Sequence, residues 1–249
     1  MTISFALALA LLACACGGGS GGSSTSAAEP NPPSIAAPDP TPVPTPTPTT
    51  DCQTRDVYTL CVTLQSPGVN LETVGHMKEL FFSVYPQLAD RFNRGAPLSV
   101  YFQIGPSTYI AGASGNSVTY QAAWLIAHPQ DYDVVVHEVM HIVQSYSSSP
   151  GWLTEGIADY VRYHYGVNNA AAGWQLQPPE AGQSYTDGYG VTARFLVWVE
   201  ARYKVELVDA LHGAIRGGSY DAGLWSLLTG KSVGELWSEY VADPALAAP

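Results

Sequence analysis

The chain has 249 residues, which allows one domain of ordinary size and additional terminal segments. Its 10 Lys and Arg residues and 21 Asp and Glu residues give a net charge of −11. An acidic chain without a basic run is a poor match to nucleic acid or to an anionic membrane surface, so we expect neither as a direct partner.

Residues 1–16 are typical of a lipoprotein-type signal. Phe5 to Cys16 form an apolar run that has the length of a signal-peptide core and is too short to span a bilayer. The end of this run resembles the lipobox of bacterial lipoproteins and predicts lipid attachment at Cys14, with Cys16 as the alternative. Because no Lys or Arg precedes the run and Leu12 fits a lipobox imperfectly, cleavage and secretion are the second interpretation. We therefore expect an exported protein that is anchored in the bacterial cell envelope, or secreted if the lipobox is not used.

Residues 17–50 predict a disordered linker. Gly and Ser dominate its first part and Pro and Thr its second part, where the sequence favours an extended polyproline II conformation. We expect this linker to hold a folded domain, residues 51–249, away from the surface to which the chain is anchored.

The folded domain contains two cysteines, Cys52 and Cys61. In an exported protein a pair this close in sequence predicts a disulfide between the first strand and the segment before it.

The sequence of the first half of the domain predicts three strands and one long helix. The strands are expected at Val57–Leu64, Leu98–Ile104 and Val118–Ala123, and the helix at Leu71–Phe92, where Pro86 should kink or interrupt it. Val118–Ala123 is expected to be an edge strand. Edge strands commonly bind an extended peptide by adding it to the sheet, so we expect a bound peptide backbone there.

Val134–Tyr146 predicts a buried helix that contains the pattern H-E-x-x-H. His137 and His141 lie four residues apart, about 40° around a helix, so both imidazoles point to the same side. A zinc ion needs two of its ligands in this arrangement, and Glu138 between them is placed to act as a general base on water.

A second helix, beginning near Trp152, supplies two carboxylates. Glu155 and Asp159 are again four residues apart and share one face. Glu155 would complete a His₂Glu site for one zinc ion and leave a fourth position for water. Asp159 is expected to accept a hydrogen bond from the ring nitrogen of His137 that does not bind the metal. Asp159 as the ligand in place of Glu155 is the alternative.

The related pattern H-E-x-x-H-x-x-G-x-x-H does not fit. Gln144 and Ser147 occupy the positions of its Gly and its third His. The class of zinc peptidases with a glutamate ligand therefore fits best. Thirteen residues separate His141 from Glu155, which predicts a tight turn between the two helices.

Four sequence blocks in this order resemble the basic secretory protein family first known from plants. They are H-E-V-M-H-I-V-Q at 137–144, W-L-T-E-G-I-A-D-Y-V-R at 152–162, D-G-Y-G-V-T-A-R-F-L at 187–196 and L-L-T-G-K-S-V-G-E-L-W-S-E-Y at 227–240. The resemblance extends over about residues 57–241.

This resemblance implies an α+β, zincin-like metallopeptidase fold of gluzincin type. A small N-terminal mixed sheet with helices would precede the active-site helix and a mostly helical C-terminal part. The resemblance also implies that His137, His141 and Glu155 bind zinc and that Glu138 is the catalytic base. The acidic charge and the lipid anchor depart from the family pattern, and these departures concern location and partners.

The C-terminal part predicts helices at 187–203, 207–215, 224–228 and 232–241. Tyr189, near the start of the first of these helices, is expected to stabilise the oxyanion of a tetrahedral intermediate, with Tyr185 as the alternative. His212 is expected on a helix surface.

The sequence thus predicts a monomeric zinc metallopeptidase that hydrolyses peptide or protein substrates and contacts a membrane only through its N-terminal lipid anchor. One alternative is a non-catalytic binding or stress-related surface protein that keeps the zincin scaffold, and the intact Glu138 argues against it. The other alternative is a peptidase that acts on cell-wall peptides.

Overall fold

The computed structural model of the protein describes residues 47–246. The predicted signal at 1–16, the lipidation site Cys14 and most of the predicted linker lie outside this part of the chain. The described part contains one five-stranded mixed sheet followed by a series of helices, which confirms the predicted α+β class.

The sheet is small and mixed. Its strands are β1 (Thr49–Arg55), β2 (Tyr58–Leu64), β3 (Ser99–Gly105), β4 (Ala111–Ser114) and β5 (Ser117–Gln121), in the spatial order β1-β2-β3-β5-β4. The two outer pairs, β1 with β2 and β4 with β5, are antiparallel. The two inner pairs, β2 with β3 and β3 with β5, are parallel.

β1 forms a hairpin with β2 at one edge of the sheet. Cys52 lies directly opposite Cys61 in this hairpin, and their sulfur atoms form a disulfide. The segment that this disulfide joins to β2 is therefore itself a strand. It begins at Thr49, so Thr49 and Thr50, which the sequence assigns to the linker, pair with Leu64 and Thr63.

The other edge of the sheet corrects the expectation for Val118–Ala123. β5 is an internal strand between β3 and β4, and the edge strand is β4. The chain reverses between the paired residues Ser114 and Ser117 through Gly115 and Asn116, and Gly115 has a φ of 59°, which glycine adopts at low cost. Ala122 and Ala123, which the sequence assigns to this strand, instead begin the short helix α2 (Ala122–Ala127).

The long helix α1 (Leu71–Phe92) packs against β2 and against the H-E-x-x-H helix. Asn70 caps it by accepting a hydrogen bond from the backbone N–H of Glu72. Pro86 does not interrupt α1, contrary to one of the two outcomes expected for it. Phe81, Tyr85 and Leu88 on the inner face are fully buried, so tertiary packing holds the helix together on both sides of the proline.

The helix α3 (Val134–Gln144) carries the H-E-x-x-H pattern and lies in the middle of the domain. It packs against α1, α4 and β4, and nearly all of its residues are buried. It ends at Gln144 and not at Tyr146, the predicted end, because Ser145 adopts a left-handed conformation with a φ of 43°.

Five further α-helices follow in the described part of the chain: α4 (Gly151–Tyr165), α5 (Tyr189–Tyr203), α6 (Leu207–Arg216), α7 (Gly223–Thr229) and α8 (Val233–Ala242). Ser232 caps α8 in a capping box with Glu235. An aromatic cluster of Phe195, Trp225 and Tyr240 joins three of these helices. Within residues 47–246, no helix is long and apolar enough to cross a membrane.

Candidate metal centre and cleft

His137 and His141 project from the same side of α3, as their spacing predicts. Their Nε2 atoms lie 3.0 Å apart at the surface of a cleft. Both rings are largely buried, because α3 is packed on most of its circumference. The helix therefore holds the two imidazoles in a fixed relative position.

The second ring nitrogen of each histidine has its own hydrogen-bond partner. His137 Nδ1 lies 2.7 Å from Asp159 Oδ1, and His141 Nδ1 lies 2.8 Å from Gln144 Oε1. An ionised carboxylate oxygen and an amide oxygen only accept, so Nδ1 carries the proton in both rings. Each Nε2 then presents a lone pair, and two lone pairs 3.0 Å apart require a proton or a metal ion between them.

Glu155 supplies the third group from the first turns of α4. Its Oε2 lies 3.3 Å from His137 Nε2 and 3.5 Å from His141 Nε2. Ligands about 2.1 Å from a tetrahedral zinc ion are separated from one another by about 3.4 Å. The three ligand atoms thus have the spacing of one face of a zinc tetrahedron, and the donor set His₂Glu fits this metal.

The charged side chains around His137, His141 and Glu155 favour the binding of a cation. Burial lowers the pKa of His137, but the carboxylates of Asp159 and Glu155 outweigh this effect and raise it to about 10. Burial likewise opposes ionisation of Glu155, yet its contacts with the two histidines lower its pKa to about 2. The centre therefore keeps Glu155 ionised and attracts either protons or a metal ion that replaces them.

Glu138 lies beside this group and is only 5% exposed. Its Oε2 is buried and has no hydrogen-bond partner among the described residues. Burial raises the pKa of Glu138 above its usual value. A buried carboxylate oxygen of this kind calls for a water molecule or another proton donor as its partner.

A cleft of about 750 Å³ opens above the three ligand atoms. One wall is the edge strand β4, whose Ala111, Gly112 and Ala113 present small side chains. The opposite wall follows the end of α3 and the turn to α4, where hydroxyl groups predominate. His137, His141 and Glu155 thus line an open cleft.

Tyr189 lines the cleft next to His137. Its ring is parallel to the His137 ring, with a distance of 6.1 Å between the ring centres, and 56% of the residue is exposed. Burial, followed by the charges of Glu155 and other nearby carboxylates, raises the pKa of Tyr189, so its hydroxyl keeps its proton at neutral pH. The alternative, Tyr185, packs against Trp152 and Phe195 and does not line the cleft.

The backbone at Tyr189 is unusual. Tyr189 has a φ of 46° and the preceding Gly188 a φ of 79°, so two consecutive residues adopt positive φ at the start of α5. A bulky residue rarely occupies this region, and such conformations concentrate at functional sites. Thr192 stabilises the turn, because its hydroxyl accepts from the N–H of Gly188 and donates to the carbonyl of Tyr185.

Close contact between α4 and α5 sets the position of this turn relative to Glu155. Gly156, the residue after Glu155, faces Thr192, and a Cβ at Gly156 would lie 2.2 Å from a methyl carbon of Thr192. Only glycine allows the two helices to approach this closely. Gly156, directly after Glu155, therefore allows the turn that carries Tyr189 to lie close to α4.

Two parts of the site were not predicted from the sequence. The sequence assigns no role to Gln144, although its position three residues after His141 places it on the same helix face. The sequence predicts no strand at the position of β4, because Ala, Gly and Ser are poor strand formers. The dipeptide Gly115-Asn116 was the available signal, because it is a common two-residue hairpin turn.

Residues 111–240 match the family BSP, which is described as a peptidase of plants and bacteria. The match covers more than half of the 249 residues. The chain belongs to this family. This finding confirms the family predicted from the four sequence blocks. The matched segment of the BSP family runs from β4 to α8 and includes the complete cleft, whereas β1 to β3 and α1 lie outside it.

A solved structure of an aminopeptidase N family protein shares the fold of this BSP family member. The aminopeptidase N family protein from Idiomarina loihiensis superposes with a TM-score of 0.50 at 10% identity, over 80% of this chain and 48% of that chain. The M1 zinc metallopeptidase from Deinococcus radiodurans gives a TM-score of 0.49 at 13% identity, over 81% of this chain and 52% of that chain. The chain thus spans about half the length of these proteins, and its fold is zincin-like, as predicted. No curated protein matches the chain.

Proposed function

We propose that the protein is a zinc-dependent peptidase of gluzincin type, in which His137, His141 and Glu155 hold one zinc ion. The observation that supports this proposal most directly is the convergence of three ligand atoms at separations of 3.0, 3.3 and 3.5 Å. Asp159 lies on the side of the His137 ring that faces away from the proposed zinc position, since its Oδ1 already accepts from Nδ1 of that ring. This favours Glu155 over Asp159 as the third ligand.

When bound, zinc supplies a Lewis acid that polarises a peptide carbonyl and lowers the pKa of water. Glu138 accepts a proton from water at its unpartnered Oε2 and passes it to the leaving nitrogen. A raised pKa makes this carboxylate a better proton acceptor. The hydroxyl of Tyr189 donates a hydrogen bond to the carbonyl oxygen of the scissile peptide bond, on which negative charge develops.

The substrate is a peptide or protein segment in extended conformation. β4 is the edge strand of the sheet and forms one wall of the cleft, so its free backbone groups are available to pair with a substrate strand. Ala111 and Ala113 leave room for the substrate beside Glu138. This assigns to β4 the binding role first expected for Val118–Ala123.

Metal content and peptide hydrolysis test this function together. We expect the full-length chain to contain one zinc ion and to cleave a mixture of peptides. We also expect a chelator to abolish cleavage and added zinc to restore it. A chain that contains no zinc would refute the metal assignment, and a zinc-loaded chain that cleaves no peptide in the mixture would refute the peptidase assignment.

A Glu138→Gln variant separates catalysis from metal binding. We expect zinc content to be unchanged and kcat to fall by about 10²- to 10⁴-fold, because the amide cannot accept a proton. The exposed Glu180→Gln serves as the matched control and should retain the kcat of the wild type.

We further propose that the protein is exported, monomeric and anchored in a bacterial envelope through a lipid on Cys14. The disulfide between Cys52 and Cys61 supports export, because such bonds persist in oxidising compartments. Cys14→Ser should move the protein from the membrane fraction to the soluble fraction, whereas Cys16→Ser should not. The reverse result would assign the lipid to Cys16, and a soluble wild type would favour secretion.

A further inference from the structure

Gln144, the last residue of α3, forms two hydrogen bonds in the interior of the protein. It is 1% exposed. Its Oε1 lies 2.8 Å from His141 Nδ1, and its Nε2 lies 2.9 Å from the backbone carbonyl oxygen of Thr154. The same side chain thus contacts one candidate ligand and the residue directly before another, Glu155.

The orientation of the Gln144 amide follows from its partners. A backbone carbonyl only accepts, so the NH₂ group must face Thr154 and the amide oxygen must face His141. The proton between Gln144 and His141 therefore belongs to His141 Nδ1. This arrangement leaves the lone pair of His141 Nε2 directed at His137 and Glu155.

We propose that Gln144 is a positioning residue that fixes His141 and the start of the Glu155 helix in a single geometry. The inference rests on the proposed zinc site. Without the acceptor oxygen, His141 could adopt the other tautomer and present an N–H to the metal position. Without the donor group, the carbonyl of Thr154 would lose its link to α3, and the first turn of α4 could shift with Glu155.

The two histidines are held by different chemical groups. Asp159 places an anion behind His137, whereas Gln144 places a neutral amide behind His141. A carboxylate at position 144 could still accept from His141, but it would direct a second acceptor at the Thr154 carbonyl. Only a side chain with an acceptor and a donor satisfies both partners, which explains glutamine at this position.

Two substitutions separate these hydrogen bonds. Gln144→Leu removes both, and Gln144→Glu keeps the bond to His141 and removes the bond to Thr154. The matched control is Gln87→Leu, since Gln87 is an exposed glutamine on α1 that donates to the Ser83 carbonyl and contacts no histidine. All variants are made in the full-length chain.

The primary measurement is the zinc dissociation constant, determined by competition with a chelator of known affinity. We expect Gln144→Leu to weaken zinc binding by about 10- to 100-fold, the usual effect of losing a partner behind a metal ligand. In Gln144→Glu the added negative charge behind His141 opposes the loss of the bond to Thr154, so its zinc affinity should exceed that of Gln144→Leu, and Gln87→Leu should equal the wild type. The visible absorption spectrum of the cobalt-substituted protein should change in Gln144→Leu, because it reports ligand geometry.

A purely structural role would give a different result. Gln144→Leu would then lower the melting temperature of the zinc-free protein while the zinc dissociation constant and cobalt spectrum stayed as in the wild type, and this outcome would overturn the inference. A wild-type chain that binds no zinc would instead refute the proposed function, and the role of Gln144 with it. The wild-type measurement therefore distinguishes the two failures.

Discussion

The histidines of the metal centre depend on atoms that do not face the cleft. Asp159 and Gln144 hold the Nδ1 protons of His137 and His141, and this alone makes both Nε2 atoms available as ligands. The carboxylate of Asp159 also adds negative charge beside a buried ring, which strengthens the attraction for a cation. Substitution of these partners should therefore affect the metal before it affects the fold.

Asp159→Asn tests the electrostatic part of this arrangement. Asparagine can still accept from His137 Nδ1, but the charge is lost, so we expect zinc affinity to fall by about 10-fold or more. The measurement is the zinc dissociation constant. The control is Asp90→Asn, which removes an exposed carboxylate on α1 that is paired with Arg94. This variant should leave zinc binding unchanged.

Tyr189→Phe tests the proposed stabilisation of the oxyanion. The hydroxyl should act mainly in the transition state, so we expect kcat to fall by about 10²- to 10³-fold with little change in KM or zinc content. Tyr163→Phe removes the hydroxyl of another exposed tyrosine, on α4 and outside the cleft. Equal kcat values for the wild type and Tyr189→Phe would contradict the assigned role.

At the scale of secondary structure elements, the contact between α4 and α5 determines how the centre is assembled. α4 carries Glu155 and Asp159, and α5 begins with Tyr189. The two helices can approach closely because Gly156 has no side chain where Thr192 packs. The spacing between Glu155 and Tyr189 therefore depends on the absence of a side chain at Gly156.

Gly156→Ala should push the two helices apart. We expect a loss of about 1 to 3 kcal/mol in the free energy of unfolding, typical of overpacking in a tight core, together with reduced kcat. Denaturant unfolding of the zinc-free protein measures the first effect. Gly75→Ala in α1 is the control, because its Cβ would meet no atom within 4 Å and should stabilise the protein by up to about 1 kcal/mol. Equal stability changes in both variants would contradict the packing argument.

The elements that carry the chemistry could be predicted because their patterns are local. The bounds of α1 agree with the sequence prediction, and α3 and α4 begin within a residue of their expected starts. The pairs His137 with His141 and Glu155 with Asp159 follow from helical spacing alone. In contrast, β4 has no strand-forming residues and depends on its pairing with β5, so its place at the edge became visible only in the tertiary structure.

The role of Gln144 could not be predicted for a related reason. Its contact with His141 spans one helical turn, but its contact with Thr154 depends on how α4 returns against α3. His212 shows the same limit, because the expectation of a surface position was wrong. The helix α6 packs that face against α1 and the turn after α3, so His212 is 2% exposed.

At the scale of the whole molecule, His212 connects three distant parts of the chain. Its Nε2 lies 2.8 Å from the carbonyl oxygen of Phe92 at the end of α1, so Nε2 carries a proton and donates. Its Nδ1 then accepts from the hydroxyl of Tyr146, at 2.9 Å, in the turn after α3. Neutral histidine satisfies both partners, and a second proton would face the Tyr146 hydroxyl.

This arrangement predicts a pH dependence of stability. Burial lowers the pKa of His212 in the folded protein, so the unfolded chain, with a histidine pKa of about 6.5, binds the proton more strongly. The contribution of His212 to stability is therefore complete above about pH 6.5 and decreases as the pH falls below that value, by at most about 1.4 kcal/mol per pH unit.

The pH prediction is checked by denaturant unfolding at a series of pH values between about 5 and 8. His212→Gln should be less stable than the wild type at pH 8, and the difference between the two proteins should shrink toward pH 5. Other titrating groups contribute equally to both proteins and cancel in this difference. A difference that does not depend on pH would contradict the assignment.

The two edges of the sheet differ in a way that has a consequence for solubility. A disulfide fastens the outer strand β1 at one edge, whereas no strand among residues 47–246 pairs with the outer side of β4 at the other edge. A free edge accepts any extended chain, including exposed segments of misfolded neighbours, and is a common starting point for aggregation. β4 has only four residues and offers an intruding chain few backbone hydrogen bonds. We therefore expect so short an edge to limit pairing with a second copy of the chain.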